Sequence, residues 1–258
     1  MGKIKIAVVG AGNCFSSLYQ GLEYYKHHKD STIPGVMWAE IGGYRPRDIE
    51  VVAVYDVDKR KVGKTTAKAV FALPNCARVF QKELPDGPIV QMGTALDGVS
   101  DYMLEQPEDL GFRLADDKPV DVVESLKNSK ADILINYLPV GSQEATEFYA
   151  QAAIDANVAF LNCIPVFIAS NPAWEQKFID AGLPIIGDDM RSQLGASVLS
   201  QVLQELAFDR GLTVDFHQQL NIGGNTDFNN MMVQSRLASK KKSKENVIRA
   251  QNDLRNIP

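Results

Sequence analysis

From the N-terminus to about Gly187, short β-branched apolar runs alternate with segments of helical period. The apolar runs predict strands at Lys3–Val9, Ile49–Tyr55, Pro88–Met92, Asp132–Leu138, Ala159–Cys163 and Pro184–Gly187. These runs read as continuously apolar, which suits strands buried on both faces of a parallel sheet. Between them, amphipathic spacing predicts helices at Ser16–Lys26, Lys59–Phe71, Val120–Ser129, Gln143–Ala156 and Pro172–Ala181. A polar, glycine-containing stretch runs from the first helix to about Asp48. Strands that alternate with helices require parallel pairing and right-handed crossovers, so the fold class is α/β with a doubly wound, Rossmann-like sheet.

From about Ser192 the pattern changes. A long helical segment reaches Asp209, Leu212 to Ile222 alternates like a strand with one exposed face, and a glycine turn leads to a final helix from about Asn229. This part reads as the beginning of an α+β catalytic or oligomerisation domain. The expected division is residues 1–190 for the first domain and 191–258 for the second.

Ligands of doubly wound sheets sit beyond the carboxyl ends of the strands. Gly10-Ala11-Gly12 follows the first strand directly and opens a helix. Gly10 permits a tight turn, Gly12 lets the backbone approach a pyrophosphate, and the free N–H groups at the helix start face the anion. Phe15 stands where a third glycine is usual. The alternative is a tight strand–helix turn without a ligand. Asp56 ends the second strand, where a carboxylate bonds a ribose 2′-hydroxyl and favours NAD over NADP. It lies 44 residues after Gly12, against a usual spacing of about 20. It competes with a helix-capping role, for which Asp58 serves equally well.

Asp188 and Asp189 close a strand and precede Arg191, Ser192 and Gln193. Two carboxylates there suit metal binding, a base, or capping of the next helix, and the amides after Ser192 suit a phosphate. Asn221 to Asp227 is a polar turn whose amides and carboxylate match sugar hydroxyls, or a plain loop. Lys240 and Lys244 are four apart and share a helix face, where two ammonium groups bracket an oxyanion or simply meet solvent. His27, His28 and His217 are too scattered for a ligand set.

At 258 residues and a net charge of −5, the chain shows no electrostatic footprint for nucleic acid or an anionic membrane. No apolar run approaches the roughly 20 residues of a membrane span, and nothing at the N-terminus reads as a signal peptide. Cys14, Cys76 and Cys163 form no CxxC pair and read as reduced thiols. A cytoplasmic protein without nucleic-acid or membrane partners is expected.

GAGNCFSS, QGLEYY, the DVD of residues 56–58, QMGTALDG, NYLPVGS, AFLNCIPVFIAS, GDDMRSQLGA, LNIGGNTDFNNM and RLASKKKSK occur here in one order. Together they resemble the myo-inositol-1-phosphate synthase family, in its shorter prokaryotic type, from Ile4 to about Gln251. The resemblance implies conversion of D-glucose 6-phosphate to 1L-myo-inositol 1-phosphate with tightly held NAD. Oxidation at C5 is followed by enolisation, aldol ring closure and re-reduction.

It also implies roles. Asp189, Lys240 and Lys244 are catalytic; Ser192, Gln193, Asn221 and Asn225 bind substrate. Gly10, Gly12, Asn13, Cys14, Asp56, Tyr137, Pro139, Asn162 and Asp188 fall in the cofactor site. Arg191 replaces the lysine common in the family's GDD loop, keeping the charge with another geometry. The family is usually tetrameric, so a homo-oligomer is expected. Its chains continue past the position of Pro258 with a segment that completes the second domain and adds lysines. A requirement for a divalent or monovalent cation stays open. Two alternatives stand beside this reading: an NAD-dependent sugar or semialdehyde dehydrogenase, and an NAD-binding module without activity.

Overall fold

The computed structural model describes residues 2–26, 33–233 and 235–236. Its centre is a six-stranded, all-parallel sheet made of β1 (Ile4–Val9), β2 (Ile49–Asp56), β3 (Val90–Met92), β4 (Ile133–Asn136), β5 (Ala159–Asn162) and β6 (Ile185–Ile186). The order across the sheet is β3-β2-β1-β4-β5-β6. The chain winds outward from β1 to β3, then returns to start the other half at β4. That reversal leaves a crevice between β1 and β4 at their carboxyl ends.

The helices are α1 (Asn13–Lys26), α2 (Thr66–Ala69), α3 (Asp101–Glu105), α4 (Val122–Ser129), α5 (Gln143–Ala156), α6 (Pro172–Ala181), α7 (Ala196–Asp209) and α8 (Thr226–Asn230). Successive residues of β1 point to opposite faces and build two cores. Ala7 and Val9 join Leu134 and Phe160 under α4, α5 and α6, where Leu126, Tyr149, Ala153 and Phe178 are buried. Ile6 and Val8 join Val54, Val90 and Ile135 under α1, where Phe15 and Tyr19 are buried. Burying the sheet on both faces is what the continuously apolar strands require.

Side chains cap the starts of α4 and α6, and left-handed residues end α5 and α6. Asp121 accepts the Glu124 N–H at 2.9 Å and Asn171 accepts the Ala173 N–H at 3.0 Å, satisfying amides at the starts of α4 and α6. Asn157 and Gly182 take left-handed conformations that end α5 and α6.

Three expected elements differ. The helix expected over Lys59–Phe71 is a run of turns followed only by the short α2. The Asp58 carboxylate captures the Arg60 N–H at 2.9 Å and the Arg113 N–H at 3.0 Å, and the Gly63 N–H goes to the Val90 carbonyl. Those bonds tie the segment to β3 and its loop instead of to a helix ladder. The strand expected over Leu212–Ile222 is not formed. Among the described residues it has no neighbouring strand to take its backbone bonds, and Ile222 is 98% exposed. Ahead of the helix expected from about Asn229, a short α8 forms at Thr226–Asn230, because Asn225 caps it by accepting the Phe228 N–H at 3.0 Å; most of the expected helix lies outside the described residues.

Candidate active site

The turn after β1 is closed by a backbone bond from Gly10 N–H to the Tyr55 carbonyl at 2.9 Å. Gly10 has φ +93°, and a Cβ there would lie 2.6 Å from the Tyr137 carbonyl oxygen. Only glycine fits this turn against the end of β4. At Gly12 a Cβ would meet nothing within 4 Å, so the loop is open to solvent on the side where a ligand backbone would approach. Phe15, at the place of a third glycine, is fully buried and fills the contact between α1 and the sheet, 5.7 Å from the Tyr19 ring.

Asp56 ends β2 directly beside this loop. Its Oδ2 accepts the Ala11 N–H at 2.7 Å, while Oδ1 accepts the Val57 and Asp58 N–H groups, both at 2.8 Å. Asn13 begins α1 and accepts the N–H groups of Cys76 and Ala77 at 2.7 and 2.9 Å, fastening the 75–77 loop over the cavity rim. The buried Lys61 Nζ donates to the Ala11 carbonyl and to Asn75 Oδ1, each at 3.0 Å.

The opposite wall comes from the ends of β4 and β5 and from the segment after β6. Asp189 adopts a left-handed conformation, φ +63°, held by its N–H to the Ile164 carbonyl at 3.2 Å. The Tyr137 hydroxyl is hydrogen-bonded to the Cys163 thiol. Burial, then the nearby Cys14, push that thiol from an ordinary 9.0 up to about 12, against a smaller opposing effect of the Tyr137 bond. The buried thiol therefore carries less reactive thiolate than an ordinary cysteine. Iodoacetamide at pH 8 is therefore expected to label the exposed Cys76 in the native protein and to spare the buried Cys163. Peptide mapping checks this, and comparable labelling of Cys163 would contradict the geometry.

These walls enclose a cavity of about 370 Å³ at the β1/β4 crevice. Of the residues expected from sequence, Gly10, Gly12, Asn13, Cys14, Asp56, Tyr137, Pro139, Asp189, Ser192 and Asn225 line it together. Asn162 and Asp188 lie behind the wall. Asn162 Nδ2 donates to the Val166 carbonyl at 2.6 Å and to Asp188 Oδ1 at 2.7 Å. Asp188 further accepts the N–H groups of Ile168, Ala169 and Ser170, so both side chains shape the wall instead of forming it. Gln193 reaches the Gly35 carbonyl at 2.9 Å, and Asn221 bonds Gln219 at 2.7 Å; neither lines the cavity. Lys240 and Lys244 lie outside the described residues.

Several residues around this cavity carry no signal in the sequence pattern. Lys61 and Asn75 line the cavity beneath the glycine loop, and Lys61 falls in the segment whose spacing imitates a helix. Tyr149, on α5, turns its hydroxyl to the Thr94 N–H at 3.1 Å and lines the cavity floor. Asp97 accepts the N–H groups of Glu144 and Ala145, both at 2.9 Å, at the start of α5. The buried Arg236 guanidinium then joins the carbonyls of Asp97 and Val140, clamping the chain's later part to the cavity rim. Among the described residues no three His, Cys, Asp or Glu side chains cluster as metal ligands.

Comparison with known proteins now bears on this site. Residues 195–257 match the family described as myo-inositol-1-phosphate synthase. The chain is 50% identical over 247 residues to inositol-3-phosphate synthase of Mycobacterium tuberculosis, covering 95% of this chain and 66% of that protein. It is 49% identical over 248 residues to inositol-3-phosphate synthase of Mycolicibacterium smegmatis, covering 96% and 67%. The chain thus spans about two thirds of the length of these relatives. Among solved structures, that of Ari2 superposes with a TM-score of 0.76 at 38% identity, over 89% of this chain and 67% of that one. A myo-inositol-1-phosphate synthase-related protein from Thermotoga maritima gives a TM-score of 0.70 at 26% identity, over 94% and 68%. On these grounds the chain belongs to the myo-inositol-1-phosphate synthase family.

Proposed function

We propose that the protein converts D-glucose 6-phosphate to 1L-myo-inositol 1-phosphate with NAD held in the β1/β4 cavity. The observation that carries this reading is that one cavity is lined both by the glycine loop with Asp56 and by Asp189, Ser192 and Asn225. Cofactor-type and sugar-phosphate-type groups thereby share a single chamber. NAD fits the residues present: the turn at Gly10, the open approach at Gly12 and the carboxylate of Asp56 are what a dinucleotide pyrophosphate and ribose need. When bound, NAD supplies a hydride acceptor that becomes a hydride donor within the same turnover.

The chain's own groups do the rest. The Ser192 side chain and the amides after it bind the substrate phosphate, and Asn225 bonds sugar hydroxyls. The Asp189 carboxylate accepts a hydroxyl proton on the cavity wall. Lys240 and Lys244 supply cations where negative charge develops on oxygen, as enolisation and aldol closure demand. In this reading residues 1–190 bind the cofactor and 191–258 begin the catalytic and oligomerisation domain. A cytoplasmic homotetramer is proposed; Leu199, Val202, Leu203 and Leu206 on one exposed side of α7 support an assembly that covers them. Among the described residues no helix is long and apolar enough to cross a membrane.

Incubation with glucose 6-phosphate and NAD tests the proposal. Inositol phosphate formed without accumulating NADH is the expected result. Net NADH in step with substrate would favour a dehydrogenase, and binding without turnover an inactive module. Asp56→Ala is expected to raise the dissociation constant for NAD about tenfold or more, since it removes a charge-assisted acceptor at the ribose side. Titration calorimetry checks this, and an unaltered constant would refute the role of Asp56.

A further inference from the structure

Lys61 lies five residues beyond Asp56, in the run of turns that replaces the expected helix, and is 2% exposed. A buried ammonium is costly unless its charge is answered. Here it sits 3.8 Å from Asp56 Oδ2, and its two hydrogen bonds go to Asn75 and to the Ala11 carbonyl. Ala11 is therefore gripped at both polar atoms by one ion pair: its N–H by the carboxylate, its C=O by the ammonium. Asn75 Nδ2 already donates to the same carbonyl at 2.9 Å. A neutral donor is thus in place to hold the loop, and the lysine adds a charge that loop geometry alone does not demand.

That charge has a use if an anion binds here. Asp56 on its own would set a negative charge one peptide away from the Gly12 amide that meets the pyrophosphate. We infer that Lys61 is a positioning residue for the cofactor and the internal counter-ion of the glycine loop. It cancels the Asp56 charge, so that the carboxylate reads a ribose hydroxyl without repelling the diphosphate beside it. The inference rests on the reading that a dinucleotide occupies this cavity. It goes beyond that reading in assigning a function to a side chain at the cavity wall whose hydrogen bonds go to the loop and to Asn75.

The test is the ratio of affinities for ADP and adenosine, measured by titration calorimetry. Both ligands need the ribose site, and only ADP carries the diphosphate. Lys61→Met is expected to weaken ADP about tenfold or more while adenosine changes less than about twofold, the size of one uncompensated charge several ångströms away at an effective dielectric constant near 20. Asp56→Asn, which leaves Lys61 unopposed, moves the ratio the other way. The double variant Lys61→Met/Asp56→Asn removes both charges together and returns the ratio close to that of the parent. Asp56→Asn and the double variant keep the test decisive if Lys61→Met alone does not fold. Proportional losses for both ligands, or a ratio indifferent to all three variants, would overturn the assignment. If the parent protein bound neither ADP nor NAD, the dinucleotide reading would fall and this inference with it; a parent that binds both with an indifferent ratio sinks the inference alone.

Discussion

Gly10→Ala is expected to destabilise the protein by about 3 kcal/mol or more and to abolish dinucleotide binding. Two effects add. An L residue at φ +93° is strained, and its Cβ would lie 2.6 Å from the Tyr137 carbonyl oxygen and 2.8 Å from the carbonyl carbon. Those contacts are backbone at the end of β4, so no rotamer change relieves them. The turn can only open by pushing β1 and β4 apart, which are hydrogen-bonded in register from Ile6–Ile133 to Val9–Asn136. Because total stabilities of domains run at about 5–15 kcal/mol, the loss is large enough to read directly as a lowered urea midpoint. Gly12→Ala is the control: its Cβ meets open space, so it is expected to leave the midpoint within about 1 kcal/mol while still weakening NAD. An unmoved midpoint for Gly10→Ala would contradict the close approach of β1 to β4.

The second large effect concerns the lysines. Lys240→Ala and Lys244→Ala are each expected to lower turnover on the order of 100- to 1,000-fold or more, the loss usual when a charge-stabilising donor is removed from a reacting oxygen. NAD binding is expected to persist, because the groups that would hold it lie in the loops after β1, β2 and β4. The measurement is turnover of glucose 6-phosphate alongside the dissociation constant for NAD. Retained turnover with either variant would remove that lysine from the chemistry. Loss of turnover together with loss of NAD binding would place it in the architecture instead.

The sheet was legible because parallel strands must be apolar on both faces, and Lys3–Val9, Asp132–Leu138 and Ala159–Cys163 carry that pattern within a few residues of β1, β4 and β5. Gly10 and Gly12 were legible for a related reason: a strand that runs straight into a tight turn leaves few alternatives. Asn162 and Asp188 were legible as unusual residues at strand ends but not as wall supports. Their type fits a ligand or a buried network equally, and only the partners at Val166, Ile168, Ala169 and Ser170 separate the two. Lys61 was hidden by helical spacing, since a side chain's capture of its neighbours' amides, as at Asp58, leaves no periodic trace. Leu212–Ile222 alternates as strands do, yet alternation specifies a face and not a neighbour. Arg236 joins the rims after β3 and β4 across a sequence separation that no local pattern encodes.

The central claim is that hydride leaves and returns to the sugar inside one cavity. The most direct measurement follows glucose 6-phosphate deuterated at C5 through turnover with unlabelled NAD. The account predicts inositol phosphate that keeps the deuterium at the same carbon, with no net NADH and no label in the recovered cofactor. Product without deuterium, or labelled NADH released in step with substrate, would contradict it.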